Sequence, residues 1–266
     1  MDGLQPAQVT VERGVRKRLY RFISVGEDLG HRPVAAELGV LLFLVFIFVG
    51  ACAFAVSVLA LGPEPLGEAA MGVPIAFAAV AQISFGAFAL RSRAFARARQ
   101  HSLRRDCGLF LCGVGSLLVV LPVLMTAAAF VETIRSQLGL PPTPEVAHAT
   151  LVRLQETGFG IQSLLVLLSA GLLVPIAEEI GWRGMLFPSL RQFRFSCIAA
   201  NVITTTLFTA VHLPSITPGA MMQSILLLSI LSLTLGWLRA RTGSLAAPIG
   251  LHAAFNAFNL ASVGFP

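Results

Sequence analysis

Three short runs in this chain hold nearly all the side chains that could move a proton or bind an ion within its apolar segments. In PIAEEIGWRG (175–184), Glu178, Glu179 and Arg183 interrupt a greasy stretch. In FTAVH (208–212) His212 follows Phe208 by four residues, and in HAAFN (252–256) His252 precedes Asn256 by four. Residues four apart share a helix face, whereas adjacent residues point about 100° apart. Glu179 and Arg183 are therefore expected to pair, while Glu178 turns away and stacks with Val174 and Trp182. One carboxylate is neutralised within its own helix and the other stays available. An ionised group near the centre of a span costs at least ~2.5 kcal/mol, so each such group is a functional candidate by default. One histidine in a membrane helix is readily a helix–helix hydrogen bond. Two histidines, an asparagine and a free glutamate on three helices are harder to ascribe to packing alone.

The elements that must position these groups are membrane spans. Of 266 residues, 56% are hydrophobic and only 12% are charged; soluble proteins carry about 25% charged residues. Apolar runs near 36–61, 72–90, 107–130, 160–187, 196–213, 220–238 and 245–264 predict about seven transmembrane helices in an all-α, polytopic protein. Lipid forbids unpaired backbone and no alternating barrel pattern is present. Residues 1–34 read as a basic cytoplasmic arm and 35–266 as one integral domain. In the arm Val11, Val15, Leu19 and Phe22 recur at helical spacing among basic residues, as in a helix lying on the inner leaflet.

The net charge of +6 follows the topology and is no footprint of nucleic acid. Seventeen of the nineteen basic residues fall in the arm, in 91–105 and at the ends of the fourth and sixth spans; only Arg135 and Arg153 fall on the other side. By the positive-inside rule the N-terminus is cytoplasmic and the C-terminus is not. An integral protein of a bacterial inner membrane is the expected setting, with lipid as its environment. Cys52, Cys107, Cys112 and Cys197 form no C-x-x-C pair and are expected to be small buried hydrophobes. Thr143 and Pro144 predict the start of a short interfacial helix that would carry His148.

Depth provides a check on the three runs. If the fourth helix continues to about Leu190, Glu178 lies ~18 Å above the inner surface, and His252, Asn256 and His212 lie at ~12, ~18 and ~25 Å. All four can then meet near mid-membrane. A helix ending at Ala177 would leave Glu178 at the inner surface, far from His212.

The ordered trio E-E-x-x-x-R, F-x-x-x-H and H-x-x-x-N on successive hydrophobic segments resembles the CAAX prenyl protease and bacteriocin-processing (CPBP) family of intramembrane proteases, over about 160–264. Trp182 stands where many members have phenylalanine, and the TGSL at 242–245 also resembles the family. The resemblance implies hydrolysis of a peptide bond in a membrane-associated protein or peptide, as in the type II CAAX endopeptidases that remove three residues after a prenylated cysteine. It maps the catalytic set onto Glu178, Glu179, Arg183, His212, His252 and Asn256, with Glu178 as the base that activates water.

Hydrolysis needs an activated water, a stabilised oxyanion and a proton for the leaving amine. Glu178 could take the proton while His212 orients the water and His252 and Asn256 donate to the oxyanion. Alternatively, His212, His252 and Glu178 make a three-ligand zinc site with one open position. The chain has no H-E-x-x-H. Its only other nearby carboxylate, Glu179, is committed by spacing to Arg183, which leaves few outer partners for metal-bound imidazoles. The reading without a cofactor is therefore preferred. Two other classes remain: a proton-coupled transporter, disfavoured because no inverted-repeat halves are visible, and a non-catalytic, immunity-like membrane partner.

Overall fold

The computed structural model describes residues 33–61, 72–91, 102–144 and 161–262. Among these residues the chain forms seven helices: α1 Pro33–Leu61, α2 Gly72–Ala89, α3 Leu103–Gln137, α4 from Ile161 to Gln192 in five joined segments, α5 Cys197–His212, α6 Met221–Thr242 and α7 Ala246–Ser262. The first six contain stretches long and apolar enough to cross a bilayer. The seventh has 17 residues, about 25 Å at 1.5 Å per residue and at the short end of the spanning range. The protein is thus a polytopic, all-α membrane protein. Leu41, Phe48, Leu59, Phe88, Leu118 and Val119 are all exposed on its outside, where lipid is their solvent.

The cysteines depart from expectation. Cys107 and Cys112 are exposed and Cys52 and Cys197 are half-buried, all as free thiols. Lipid makes an outward thiol as cheap as an inward one, so hydropathy alone could not assign them to the core. The predicted arm helix and most of the predicted interfacial helix, with His148, lie outside the described residues. Thr143 itself donates its hydroxyl and its N–H to the Glu132 carboxylate.

Close packing fixes α7. A Cβ on Gly113 of α3 would sit 2.1 Å from the carbonyl oxygen of Ala247, and one on Gly250 of α7 would sit 2.2 Å from that of Phe110. The two backbones therefore cross in contact, as small residues allow in membranes. On the other side of the bundle, α1 and α2 clamp the second half of α4. Phe46 occupies the space beside Gly181, and Ile180 fills the space beside Gly86.

The two ends of the bundle are distinct. At one, Arg105 donates to the Thr242 carbonyl at 3.1 Å and Ser244 to the Asp106 carboxylate at 2.7 Å, joining the start of α3 to the α6–α7 turn. Gly243, at φ 69°, makes that turn. Leu90 and Leu245 both approach Gly184, which adds the end of α2 and the last turns of α4 to this end. Arg191, Arg194, Arg239 and Arg241 lie here too. At the opposite end Pro144 packs on Gly219, and Gly171 of early α4 meets Leu260 of late α7.

Candidate active site

The fourth helix is a single rod, as the depth argument required, but not a regular one. Two π-helical segments, Ser169–Leu173 and Ile180–Leu186, interrupt its α-helical turns. Each is followed by a proline at the start of the next α segment, Pro175 and Pro188. Proline has no N–H to give, so the carbonyl five residues earlier loses its π partner. Val174 N–H bonds Ser169 O, and the Ala170 carbonyl instead accepts from Asn256 Nδ2 at 2.8 Å. The second segment repeats the device. Phe187 N–H bonds Trp182 O, and the Arg183 carbonyl accepts from Arg239 Nε at 3.2 Å. Helices α7 and α6 are thereby tied to α4 on either side of the two glutamates. π-bulges are frequent at functional sites.

Glu179 and Arg183 form the expected ion pair, Nη1 to Oε1 at 2.8 Å, with both side chains fully buried. Arg183 is held further by Ser232, whose carbonyl and hydroxyl accept from Nη2 at 3.1 and 2.7 Å. Ser232 in turn donates to Thr205 Oγ1 at 3.0 Å, and the Arg183 guanidinium carbon lies 4.9 Å from the centre of the Phe208 ring. Ser232 and Thr205 carried no sequence signal, because hydroxyls inside membrane helices usually satisfy their own backbone. Contrary to expectation, Arg183 does not monopolise Glu179. The same oxygen, Oε1, lies 2.9 Å from His252 Nδ1. Spacing along one helix cannot reveal a partner arriving from another.

Glu178 points into a cavity of about 350 Å³ between α2, α4, α5, α6 and α7. Val174 lines it with Glu178, as the shared face predicts, whereas Trp182 is buried below against Phe43 and Phe208. Glu178 Oε1 lies 3.5 Å from His212 Nε2, and Oε2 lies 3.6 Å from His252 Nε2. The Glu178 and His212 side chains keep 23% and 21% of their surface open, so both can meet water in the cavity. His212 Nδ1 lies 2.7 Å from the Phe208 carbonyl. A carbonyl can only accept, so that nitrogen bears a proton, and in the neutral imidazole Nε2 offers a lone pair. An ionised Glu179 orders His252 in the same way. A carboxylate and two imidazole lone pairs thus converge, and a proton, the hydrogens of a water or a cation must sit among them.

Asn256 and Asn259 also line the cavity; Asn259 was not singled out by the sequence. All six expected site residues therefore come together, Glu178, His212, His252 and Asn256 on the cavity and Glu179 and Arg183 directly behind it. The chemistry of the donor set suits zinc. Two carboxylate–imidazole edges of 3.5 and 3.6 Å are near the roughly 3.3 Å expected across a tetrahedral ion with ~2.0–2.1 Å bonds. Each imidazole also has an outer acceptor, Phe208 O or Glu179, which removes the sequence-based objection that such partners are scarce. Even so, no group of three His, Cys, Asp or Glu residues is preformed at ligand spacing among the described residues.

No curated protein and no solved structure matches the chain. Residues 160–258 match the family model described as type II CAAX prenyl endopeptidase Rce1-like, a span that contains every residue of this site. That segment, 99 of the 266 residues, is thus similar to the Rce1-like type II CAAX prenyl endopeptidases, and the similarity supports an intramembrane endopeptidase at the level of that family.

Proposed function

We propose that the protein cleaves a membrane-associated polypeptide by attack of a water that Glu178 deprotonates. The observation that carries this reading is the convergence of Glu178 with two imidazole Nε2 lone pairs at 3.5 and 3.6 Å, beside a cavity. A water held there donates one hydrogen to Glu178 and the other to an imidazole, which leaves its own lone pair facing a substrate carbonyl. As the C–O bond forms, Glu178 takes the proton and the carbonyl electron pair moves onto oxygen. Asn256 spends one N–H on Ala170, and its second is the donor available to the oxyanion. Collapse breaks the C–N bond, and Glu178 returns the proton to the leaving nitrogen.

This assignment gives His252 a different role from the oxyanion donor expected above. With Nδ1 on Glu179 it accepts from water at Nε2, and Glu179 and Arg183 position it without touching substrate. If zinc is bound, His212, His252 and Glu178 would hold it, and the ion would supply a Lewis acid and a more acidic water.

The one-sided basic connections support a cytoplasmic N-terminus in a bacterial inner membrane. Purified protein should cleave an internally quenched apolar peptide in detergent, with one 18O from labelled water entering the new carboxyl group. Glu178→Gln should abolish both signals. Cleavage that survives that substitution, or that leaves the product unlabelled, would refute the mechanism.

A further inference from the structure

Hydroxyls inside helices usually bond their own backbone, and many in this chain do so. Ser189, Thr206, Thr234 and Ser262 each donate to the carbonyl four residues earlier. Ser232 of α6 does not. Its side chain has no exposed surface, and its O–H crosses to Thr205 Oγ1 of α5 at 3.0 Å. Arg183 Nη2 donates to its hydroxyl oxygen at 2.7 Å and to its carbonyl at 3.1 Å. One turn before Thr205, Asn201 donates to the Leu233 carbonyl at 2.9 Å, which keeps α5 and α6 in this register.

The guanidinium so held is not arranged as it would be with a carboxylate alone. Arginine and carboxylate pair best through two parallel N–H···O bonds. Here the pair rests on one, from Nη1 to Oε1 at 2.8 Å. Among the described residues, Glu179 Oε2 and Arg183 Nε are both buried without a hydrogen-bond partner. Two such atoms left unmet in a protein interior are costly, so another contact must hold the pair open. The two Ser232 acceptors on Nη2 are that contact.

We infer that Ser232 is a positioning residue for hydrolysis. By holding Nη2 it keeps Arg183 from closing on both oxygens of Glu179. The carboxylate then stays turned towards His252, whose Nδ1 lies 2.9 Å from Oε1. That bond sets which ring nitrogen carries the proton, and so how Nε2 meets the water beside Glu178. Ser232 governs His252 in this way without lining the cavity. Thr205 takes the hydroxyl hydrogen and so keeps the oxygen lone pair aimed at Arg183. This role rests on the proposed protease reading, and the test keeps the two apart.

A brace and a restraint predict opposite effects on stability. Removing a brace weakens the fold, whereas removing a restraint lets Arg183 and Glu179 close into the stronger pair. Full-length protein labelled with 15N-histidine is purified in detergent as wild type, Ser232→Ala and Thr205→Val. The His252 resonances are identified by their loss in His252→Gln. In Ser232→Ala the Nδ1-protonated form of His252 should give way in part to the Nε2-protonated form. The thermal midpoint should hold or rise. With an internally quenched apolar peptide, kcat should fall by about 10–100-fold at nearly constant KM, as when an outer partner of an active-site imidazole is removed. Thr205→Val leaves Ser232 in place and should move His252 and kcat the same way, but less.

A His252 signal that neither variant shifts would overturn the inference. So would a midpoint lowered in both, the mark of a lost brace. If Ser232→Ala fails to fold, Thr205→Val decides by the same two criteria. A shifted His252 with undiminished kcat would remove His252, and Ser232 with it, from the reaction. Should the wild-type protein cleave no peptide, it is the protease reading that fails. The histidine signal and the midpoint then still decide whether Ser232 controls His252.

Discussion

His252 and Arg183 meet on one oxygen of Glu179, with Nδ1 at 2.9 Å and Nη1 at 2.8 Å. A carboxylate with no exposed surface thus fixes both the tautomer of an imidazole on the cavity and the position of a buried guanidinium. Its neighbour Glu178 faces the open space, 3.6 Å from the other ring nitrogen of His252. The two adjacent glutamates have different work, and substitutions should separate them.

Glu178→Gln should leave the thermal midpoint of the purified protein in detergent nearly unchanged while peptide cleavage disappears. Glu179→Gln should instead strand Arg183 in a buried site, at a cost of about 3–5 kcal/mol for a broken buried pair. A lowered melting midpoint or yield should accompany its loss of activity. Equal melting behaviour for the two variants, with purely catalytic losses in both, would show that the roles are divided wrongly.

Cleavage should survive exhaustive dialysis against a strong chelator, because the proposed attack needs only Glu178, an oriented water and an oxyanion donor. The completeness of the shell around both imidazoles makes this test sharper than the sequence suggested. Activity lost on chelation and restored by one equivalent of zinc would show that His212, His252 and Glu178 hold an ion. The protease assignment would stand in either case.

Much of this site was legible because it obeys helical spacing and membrane cost. Glu179 and Arg183 were paired by a four-residue separation, and Glu178 was set apart by its 100° offset. Apolar length gave the helices. What was not legible depends on contacts between helices. No periodicity reveals that His252 shares Glu179 with Arg183, or that Ser232 and Thr205 brace the guanidinium. One missed signal was present in the letters: Pro175 and Pro188 sit inside an apolar span, where each removes an N–H and frees a carbonyl. Polar side chains elsewhere in the chain, Asn256 and Arg239, had to answer them.

Substitution at the α3–α7 crossing should disable the enzyme without touching its chemistry. A Cβ at Gly113 or Gly250 would meet backbone oxygen at 2.1 or 2.2 Å, and backbone cannot rotate away as a side chain can. Gly250→Ala should therefore push α7 outward and cost about 1–3 kcal/mol as overpacking. Because His252 lies two residues on, activity should fall further than that of Gly108→Ala, on α3, where a Cβ meets open space. Similar activity and melting for the two variants would show that the crossing does not set the position of His252.

The proline device makes a prediction about coupling. Asn256→Ala should leave the Ala170 carbonyl without its 2.8 Å partner, at about 0.5–1.5 kcal/mol for the loss of a part-buried hydrogen bond. Pro175→Ala supplies an N–H five residues from that carbonyl, so α4 can satisfy it internally. In the Pro175→Ala background, Asn256→Ala should then destabilise the protein much less than it does alone. The interaction energy from a double-mutant cycle, read from denaturation in detergent, should exceed the ~0.3–0.5 kcal/mol within which independent sites add. Activity should not be rescued in the double variant, since the second N–H of Asn256, the proposed oxyanion donor, is still missing. Additive stabilities would show that the proline and the asparagine are unrelated. Restored cleavage would remove Asn256 from the chemistry and leave it only as the tie between α7 and α4.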